Sequence, residues 1–394
     1  MPGPLHGIKV IDLTRVLAGP FCTMTLADLG AEIIKIEKPG TGDDSRAFGP
    51  HLHGESAYFM SINRGKKSLT LDLKAEKGRE IFLKLVKDAD VVVENFKPGV
   101  MKKLGLDYAA LQKINPKLIY CASSGFGQTG PYSSRPAYDL IIQGMGGLMS
   151  ITGPDASQPT KVGSSIADIF AGVFSAIGIL SALYSRTHTG KGQMVDVAML
   201  DCMVAILENA IARFTGSGID PVPIGNRHPS IAPFTSVRTS DGYINIACGN
   251  DALWLKLCEI IERPDLATDK RYESNRSRCD HMPDLLPQLN EAMQKQPAAY
   301  WLKKLEEGHV PAGPINTISQ VLSDPQVLAR NMLLELAHPV AGMVKVPGSP
   351  VKLSVTPAEV KAPAPVLGQH NDEILASLGY SVQQIEGFRA EAVI

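Results

Sequence analysis

No C-x-x-C pair occurs among the six cysteines (Cys22, Cys121, Cys202, Cys248, Cys258, Cys279), and none stands at zinc-finger spacing from the nine histidines. A zinc-ribbon or disulfide framework is thereby excluded, and reduced, mostly buried thiols are expected. An excess of either charge is also missing: Lys plus Arg number 39, Asp plus Glu 40, and the formal net charge is −1. No global field recruits nucleic acid or an anionic membrane, so any anion site has to be local. The stretch Met1 to Gly7 lacks the charged and apolar regions of a secretory leader, and the expectation is a cytoplasmic protein. Internal repeats and low-complexity tracts are absent. One apolar stretch, Ile166 to Tyr184, approaches the length of a membrane span, but it carries Asp168, two glycines and two serines and reads as a buried core helix.

What is present is a long chain, 394 residues with 44% hydrophobic content, enough for two well-buried domains. Ile8 to Leu13 reads as a strand, Ala18-Gly19-Pro20 as a turn, Phe21 to Leu29 as a helix and Ala31 to Ile36 as the next strand. The order repeats with a strand at Ser68 to Leu73, a helix at Lys77 to Lys87, and strands at Val91 to Glu94 and Leu118 to Ala122. Nearly continuous apolar strands alternating with helices predict a parallel sheet covered on both faces, an α/β Rossmann-like domain. A long helix ends at Thr189-Gly190-Lys191-Gly192, and Met194 to Met199 follows as a strand. From about Gly225 the texture changes to a strand at Gly242 to Cys248 and helices at Trp254 to Ile261 and Tyr300 to Glu307. The division expected is 1–200 for the first part of the large domain, 201–224 for a linker, 225–315 for a small α+β domain, and 316–394 for a return linker and the C-terminal part of the large domain.

Gly125-Phe126-Gly127-Gln128-Thr129-Gly130 matches the dinucleotide fingerprint, but Pro131 and a loop follow where a helix has to open, so an NAD site is not expected. Asp168 is the more informative residue. Apolar residues at Ile166, Ile169, Phe170, Val173, Ile177, Leu180 and Tyr184 keep to one helical stripe, which sets Asp168 near a helix N-terminus. There the positive dipole end favours an ionised carboxylate, which can attack a thioester and form an anhydride. Ser165-Ile166-Ala167-Asp168 is also the S-x-x-[DE] pattern of a capping box, so local pattern alone favours a structural role.

The rest of the chain decides between them. Leu13-Thr14-Arg15-Val16-Leu17-Ala18-Gly19-Pro20, Ile36-Glu37-Lys38-Pro39-Gly40-Thr41-Gly42-Asp43, Glu94-Asn95-Phe96-Lys97-Pro98-Gly99, Thr189-Gly190-Lys191-Gly192-Gln193 and Leu367-Gly368-Gln369-His370 resemble class III CoA-transferases of the CaiB/BaiF type, nearly end to end. The resemblance implies an enzyme with Asp168 as nucleophile, which follows the Tyr138-Asp139 and Gly146-Gly147 segment. It implies aspartyl anhydride and aspartyl-CoA thioester intermediates, acyl-CoA and small carboxylate substrates, and no metal. For coenzyme A it implies Val16 and Leu17 beside the nucleotide, Lys38, Lys74 and Lys103 on the phosphates, and Leu71, Asn95 and Phe96 at the adenine and ribose end, with Ser124 and Gly125 also in the site. Lysine serves as a point charge on phosphate, and an aromatic ring offers a stacking face. Glycine turns at Gly225-Asn226 or Gly125-Phe126-Gly127 are the candidate oxyanion donors. The implied fold is two interlocked rings, a homodimer whose large domain uses both chain ends with the small domain inserted.

Within that family, formyl-CoA transferases carry glutamine at the position of Leu17 and tyrosine at that of Phe126. They also have arginine where Lys38 and Lys103 stand, a change that keeps the charge and loses the bidentate fork. The α-methylacyl-CoA racemases carry a histidine at the position of Tyr138, whose phenol, with a reference pKa of about 10, is a poor proton-transfer partner at neutral pH. The segments Asp43 to Pro50 and Gly225 to Pro229 instead resemble acetyl-CoA:oxalate and succinyl-CoA:glutarate-type enzymes. A small dicarboxylate acceptor is therefore expected, with Arg227 and His228 on its distal carboxylate, and Arg46, Phe126, Gly225 and Asn226 as further substrate candidates. A histidine before Pro229 also serves simply to fix a loop. A catalytically silent CoA-binding protein is the rival from another class, and binding alone does not need the Asp168 carboxylate.

Overall fold

A computed structural model describes residues 2–394. The chain divides into two compact units, one of residues 1–148, 161–212 and 325–394, the other of 149–160 and 213–324.

The first unit is built on a six-stranded parallel sheet in the spatial order Lys66–Thr70, Glu32–Glu37, Lys9–Asp12, Val91–Glu94, Ile119–Ser124, Met194–Ala198. Alternate residues face opposite sides, and both sides are apolar. Val10, Ile33, Val91, Val93, Ile119 and Cys121 pack with Cys22, Leu26, Ala176, Ile179 and Leu183. Ile11, Ile36, Val92, Tyr120 and Ala122 pack on the other side with Ile81, Phe82, Ile374, Leu375 and Ile385. Both chain ends thus share one core, and continuous burial on two faces is what removed the period-two polar pattern from these strands.

The segment that follows the hairpin Leu333–His338 and Gly342–Pro347 fastens the edge of this sheet. Ser68 N–H donates to His370 Nδ1 and Thr70 N–H to Asn371 Oδ1, while Gly368 N–H donates to Ser68 Oγ. An edge strand presents unpaired N–H groups, and here side chains from the far end of the chain take them.

The strand expected at Ser68 starts earlier, at Lys66, because the charged Lys66 is fully buried and paired with Asp12. Ala18-Gly19-Pro20, expected as a turn, is the first turn of the helix Ala18–Asp28. First-turn N–H groups lack intrahelical partners, so proline loses nothing there. Met199, expected to end a strand, opens the helix Met199–Ile206, and with Asn209–Ser217 it fills much of the stretch 201–224 that read as linker. The second unit begins at 213 rather than 225, runs to 324 and takes in 149–160, where Gly225 N–H meets the Gly153 carbonyl at 3.0 Å.

That second unit holds a three-stranded antiparallel sheet, Ala312–Pro314, Tyr243–Ala247, Phe234–Arg238, over a core of Trp254, Leu257, Tyr272, Leu285, Leu289 and Leu305. It is α+β in texture.

In the first unit the helix Ile166–Thr189 is long and apolar enough to cross a membrane. Ala171, Gly172, Ser175, Ala176 and Ile179 are nevertheless buried, and the helix Ala18–Asp28 packs on it. Gly172 is the contact that sets their approach. A Cβ there would stand 2.6 Å from the Ala18 carbonyl oxygen and 3.2 Å from Phe21. Gly172→Ala, a change that usually stabilises a helix, should instead cost about 1–3 kcal/mol through overpacking, read as a lower urea midpoint.

Candidate functional site

The sheet order reverses where the chain moves from Lys9–Asp12 to one side and later from Val91–Glu94 to the other. In such sheets the crevice outside the carboxyl ends of the two central strands is the place for a ligand. A cavity of about 760 Å³ opens there, with Leu13, Arg15, Lys38, Lys74, Phe96 and Lys103 among its walls. Lys38, Lys74 and Lys103 are exposed, and none forms a salt bridge with the described residues. Leu71 and Leu104 add apolar wall. Of the residues the resemblance carried over for coenzyme A, the cavity gathers Lys38, Leu71, Lys74, Phe96 and Lys103, and it adds Arg15.

Asn95, Val16 and Leu17 lie outside its lining and shape the loop beside it. Arg15 N–H donates to Asn95 Oδ1 and Asn95 Nδ2 donates to the Arg15 carbonyl, both at 2.8 Å. Val16 N–H donates to Asp43 Oδ1 at 3.0 Å. Between these clamps Val16 holds φ at 66°, left-handed backbone that a β-branched residue rarely adopts and that persists only where its surroundings fix it. Leu17 then turns into the helix Ala18–Asp28 and packs with Met24 and Ile62, against Val16 and Tyr58.

Beneath the loop lies a buried ionic layer. Asp12 accepts from Thr14 Oγ1, Thr23 Oγ1 and Lys66 Nζ, and Lys35 Nζ pairs with Asp43 at 2.9 Å while donating to the Thr14 carbonyl. Burial alone would raise the Asp12 carboxyl. Lys66 and Lys35, with the two threonines, outweigh it and hold Asp12 well below the usual carboxylate range. Arg46, expected at a substrate carboxylate, belongs to this layer instead. Its Nε and Nη2 donate to both oxygens of Glu37 at 2.7 and 2.8 Å, Nη2 also reaches the Pro365 carbonyl, and the guanidinium lies 3.7 Å from the Phe59 ring centroid. A fork already closed on a buried carboxylate is a strut.

Asp168 stands in the first turn of Ile166–Thr189, half-buried. The capping box is not formed, because the N-cap residue Ser165 makes no side-chain cap bond. Another carboxylate takes that place. Asp139, at the start of the helix Asp139–Met145, accepts the Ala167 N–H at 2.9 Å and the Gln143 amide at 2.7 Å, and Gln143 Oε1 accepts the Val162 N–H. The Asp168 carboxyl has no hydrogen bond or ion pair among the described residues. The sequence reading expected the helix terminus to keep Asp168 readily ionised. Burial first, and the charge of Asp139 second, push its carboxyl up to about 7 instead. Tyr58 feels the same group: burial and then the charges of Asp168, Asp43 and Asp139 raise its phenol. Asp139 and Tyr58 are the neighbours that sequence reasoning missed, although Asp139 stood in a segment already singled out.

Ser124 ends the Ile119–Ser124 strand, and Gly125 and Phe126 follow it. Ser124 Oγ accepts the Gly127 N–H, the Gly125 carbonyl accepts the Leu200 N–H, and a Cβ on Gly125 would meet Ala137 at 2.3 Å. Phe126 packs edge-on to Tyr132 and joins the cluster that holds Ala167 and Ala171. These bonds account for Ser124 and Gly125 as turn residues.

Gly225, Asn226, Arg227 and His228 belong to the second unit. Gly225 has φ at 67°, Asn226 Nδ2 donates to Ser236 Oγ, and Arg227 Nε donates to the Ile224 carbonyl. His228 Nδ1 accepts the Ser230 N–H, so the histidine does fix its loop. Arg227 and His228 also line a separate cavity of about 180 Å³.

Asn95 supplies two bonds to one strained loop, each worth about 0.5–1.5 kcal/mol. Asn95→Ala should therefore lower stability by about 1–3 kcal/mol in urea unfolding, and Asn95→Asp, which keeps only the acceptor, should fall between.

Comparison with known proteins places this geometry. The profile described as CoA-transferase family III matches residues 5–371. The acetyl-CoA:oxalate CoA-transferase of Acetobacter aceti is 49% identical over 353 residues, 89% of this chain and 90% of that protein. The succinate–glutarate CoA-transferase of Agrobacterium fabrum is 43% identical over 95% of this chain and 96% of its own length. A CaiB/BaiF family protein from Brucella suis, solved by crystallography, superposes with a TM-score of 0.87 at 44% identity, covering 96% of this chain and all of that one. A parallel-sheet unit of this kind, matched in sequence and structure nearly end to end, makes this chain a member of CoA-transferase family III.

Proposed function

We propose that the chain moves coenzyme A from acetyl-CoA or succinyl-CoA to a small dicarboxylate such as oxalate or glutarate, with Asp168 as the covalent nucleophile. The observation that carries this reading is the Asp168 carboxyl, half-buried, unpaired and pushed up to about 7 beside Asp139. A carboxylate held away from water and next to a like charge is a stronger nucleophile than a solvated one, and it gains most from becoming a neutral acyl derivative. The names of the two relatives support the substrate classes.

In this mechanism an Asp168 oxygen attacks the thioester carbonyl carbon, the C–S bond breaks, and coenzyme A leaves as thiolate with an aspartyl anhydride behind it. The thiolate then attacks the aspartyl carbonyl carbon, releasing the donor acid as carboxylate and leaving an aspartyl-CoA thioester. The acceptor carboxylate attacks that thioester, and a second exchange on the new anhydride delivers the acceptor's CoA thioester and frees Asp168. Charge moves between carboxylate and thiolate in each step, so no net proton transfer is required. Lys38, Lys74 and Lys103 supply point charges for the CoA phosphates, Leu71 and Phe96 the apolar wall, and Val16 and Leu17 the clamped loop leading toward Asp168.

The exposed apolar face of the Ile166–Thr189 helix, with Ile177 at 50% and Tyr184 at 70% exposure, supports association of two copies, which we propose form the interlocked homodimer the resemblance implies. The large domain built from both chain ends, with the small domain inserted, is part of the same proposal.

Incubation with acetyl-CoA or succinyl-CoA followed by intact-protein mass spectrometry tests the mechanism. The wild type should gain an adduct of CoA mass that hydroxylamine converts to a hydroxamate at Asp168. Asp168→Ala should gain none and lose exchange. Turnover persisting in Asp168→Ala would overturn the covalent mechanism.

A further inference from the structure

One cavity of the second unit, that of about 180 Å³, is cationic without a counter-ion. Arg213, Arg227 and His228 share its wall with Ile231, Phe234 and Met282, and no aspartate or glutamate lines it. Neither arginine forms a salt bridge with the described residues. Arg227 spends Nε on the Ile224 carbonyl at 3.2 Å, which anchors its stem and leaves both terminal nitrogens for something else. The Arg213 guanidinium makes no hydrogen bond at all among the described residues. Because His228 Nδ1 accepts the Ser230 N–H at 3.1 Å, the neutral ring carries its proton on Nε2 and is a donor there, and the ring is steadied by Phe234 at 5.3 Å. Two guanidinium charges around one concavity repel each other, an anion between them relieves that repulsion, and the imidazole N–H adds a neutral donor.

The remaining wall decides which anion. Ile224, Ile231, Phe234 and Met282 are apolar, which suits carbon between the charged ends of a ligand better than a compact inorganic oxyanion. A cavity of about 150 Å³ takes a benzene-sized molecule, so one of this size takes roughly six to nine non-hydrogen atoms, the range from oxalate to glutarate. Guanidinium binds carboxylate through paired N–H bonds, and two of them match two carboxylates.

We propose that this cavity is a binding site for a small organic dicarboxylate, gripped by Arg213 and Arg227 with His228 as an additional donor. The proposal deepens the preceding reading, in which the acceptor is a dicarboxylate, and rests on it for the choice of ligand. Arg213 has no counterpart in the motifs read from the sequence. It is brought to Arg227 by the helix Asn209–Ser217.

Isothermal titration of the full-length protein with oxalate, glutarate, butyrate and inorganic phosphate, without any acyl-CoA, reads the site directly. Oxalate or glutarate should bind, and butyrate and phosphate should bind more weakly. Arg213→Gln should weaken the dicarboxylate on the order of tenfold, as loss of a charge-assisted bond does, with Arg213→Lys in between. The Arg213 side chain has no hydrogen bond or ion pair among the described residues to lose, and the bond from Ser217 Oγ to the Arg213 carbonyl is kept by any side chain, so Arg213→Gln should keep the wild-type melting temperature. Silence of both dicarboxylates in the wild type, unchanged affinity in Arg213→Gln, or phosphate binding as tightly as glutarate overturns the site, whatever the exchange assay gives. Arg213-dependent glutarate binding in a wild type that fails to exchange CoA would sink the transferase reading and leave the site standing.

Discussion

The N-terminus of the Ile166–Thr189 helix offers one favourable seat for a negative charge, and Asp139 occupies it by accepting the Ala167 N–H at 2.9 Å. Asp168, the next residue along, is left with burial and a like-charged neighbour in place of a hydrogen bond. Had Asp168 taken the capping role that Ser165-Ile166-Ala167-Asp168 suggests, the helix dipole and the backbone N–H groups would have stabilised its charge and made it a weaker nucleophile. Gln143, fully buried between Asp139 and the Val162 N–H, fixes this division of labour. Stabilising one carboxylate and exposing the other to desolvation are two sides of one arrangement.

The same logic, with the opposite sign, builds the crevice. Asp12, Lys35, Asp43, Glu37 and Lys66 are all buried in one layer around the carboxyl end of the Lys9–Asp12 strand, Lys66 reaching it from the amino end of the edge strand, and each has a partner of opposite charge. An ionic layer of this kind tolerates no missing member, because an uncompensated buried charge costs several kcal/mol, about 3–5 on removal of one partner. Its pairings fix where the loop Leu13 to Leu17 runs, and that loop joins the lysine-lined cavity to the helix packed on Gly172. Position at the cavity and position at Asp168 are therefore set by one segment of chain.

Much of this was legible in the sequence, for identifiable reasons. The parallel sheet followed from continuous apolar strands such as Val91 to Glu94, and Asp168 from the helical stripe that begins at Ile166. What escaped was carried by contacts between distant residues. Lys66 hid the start of a strand because its charge is cancelled by Asp12, 54 residues away in the chain. Arg46 read as a free cation because nothing local shows that Glu37 has claimed it. Ala18-Gly19-Pro20 read as a turn because proline and glycine mark turns, yet proline is compatible with a helix's first turn. The role of Asp139 depends on a bond to a residue 28 positions on, which no window of helical length contains. Arg213 lay in a stretch that read as linker.

The central claim is that Asp168 is a destabilised carboxylate and that Asp139 contributes to it. Its most direct test is the pH dependence of kcat/KM for CoA exchange in the wild type and in Asp139→Asn, which keeps an oxygen for the Ala167 N–H and removes the charge. The attacking form is the carboxylate, and its folded pKa is raised, so activity is lost as pH falls through the folded value. The account predicts a wild-type profile rising with a midpoint near the value of about 7 held by Asp168, and a midpoint displaced toward lower pH in Asp139→Asn. A wild-type midpoint at the ordinary aspartate value, or the same midpoint in both proteins, would contradict it.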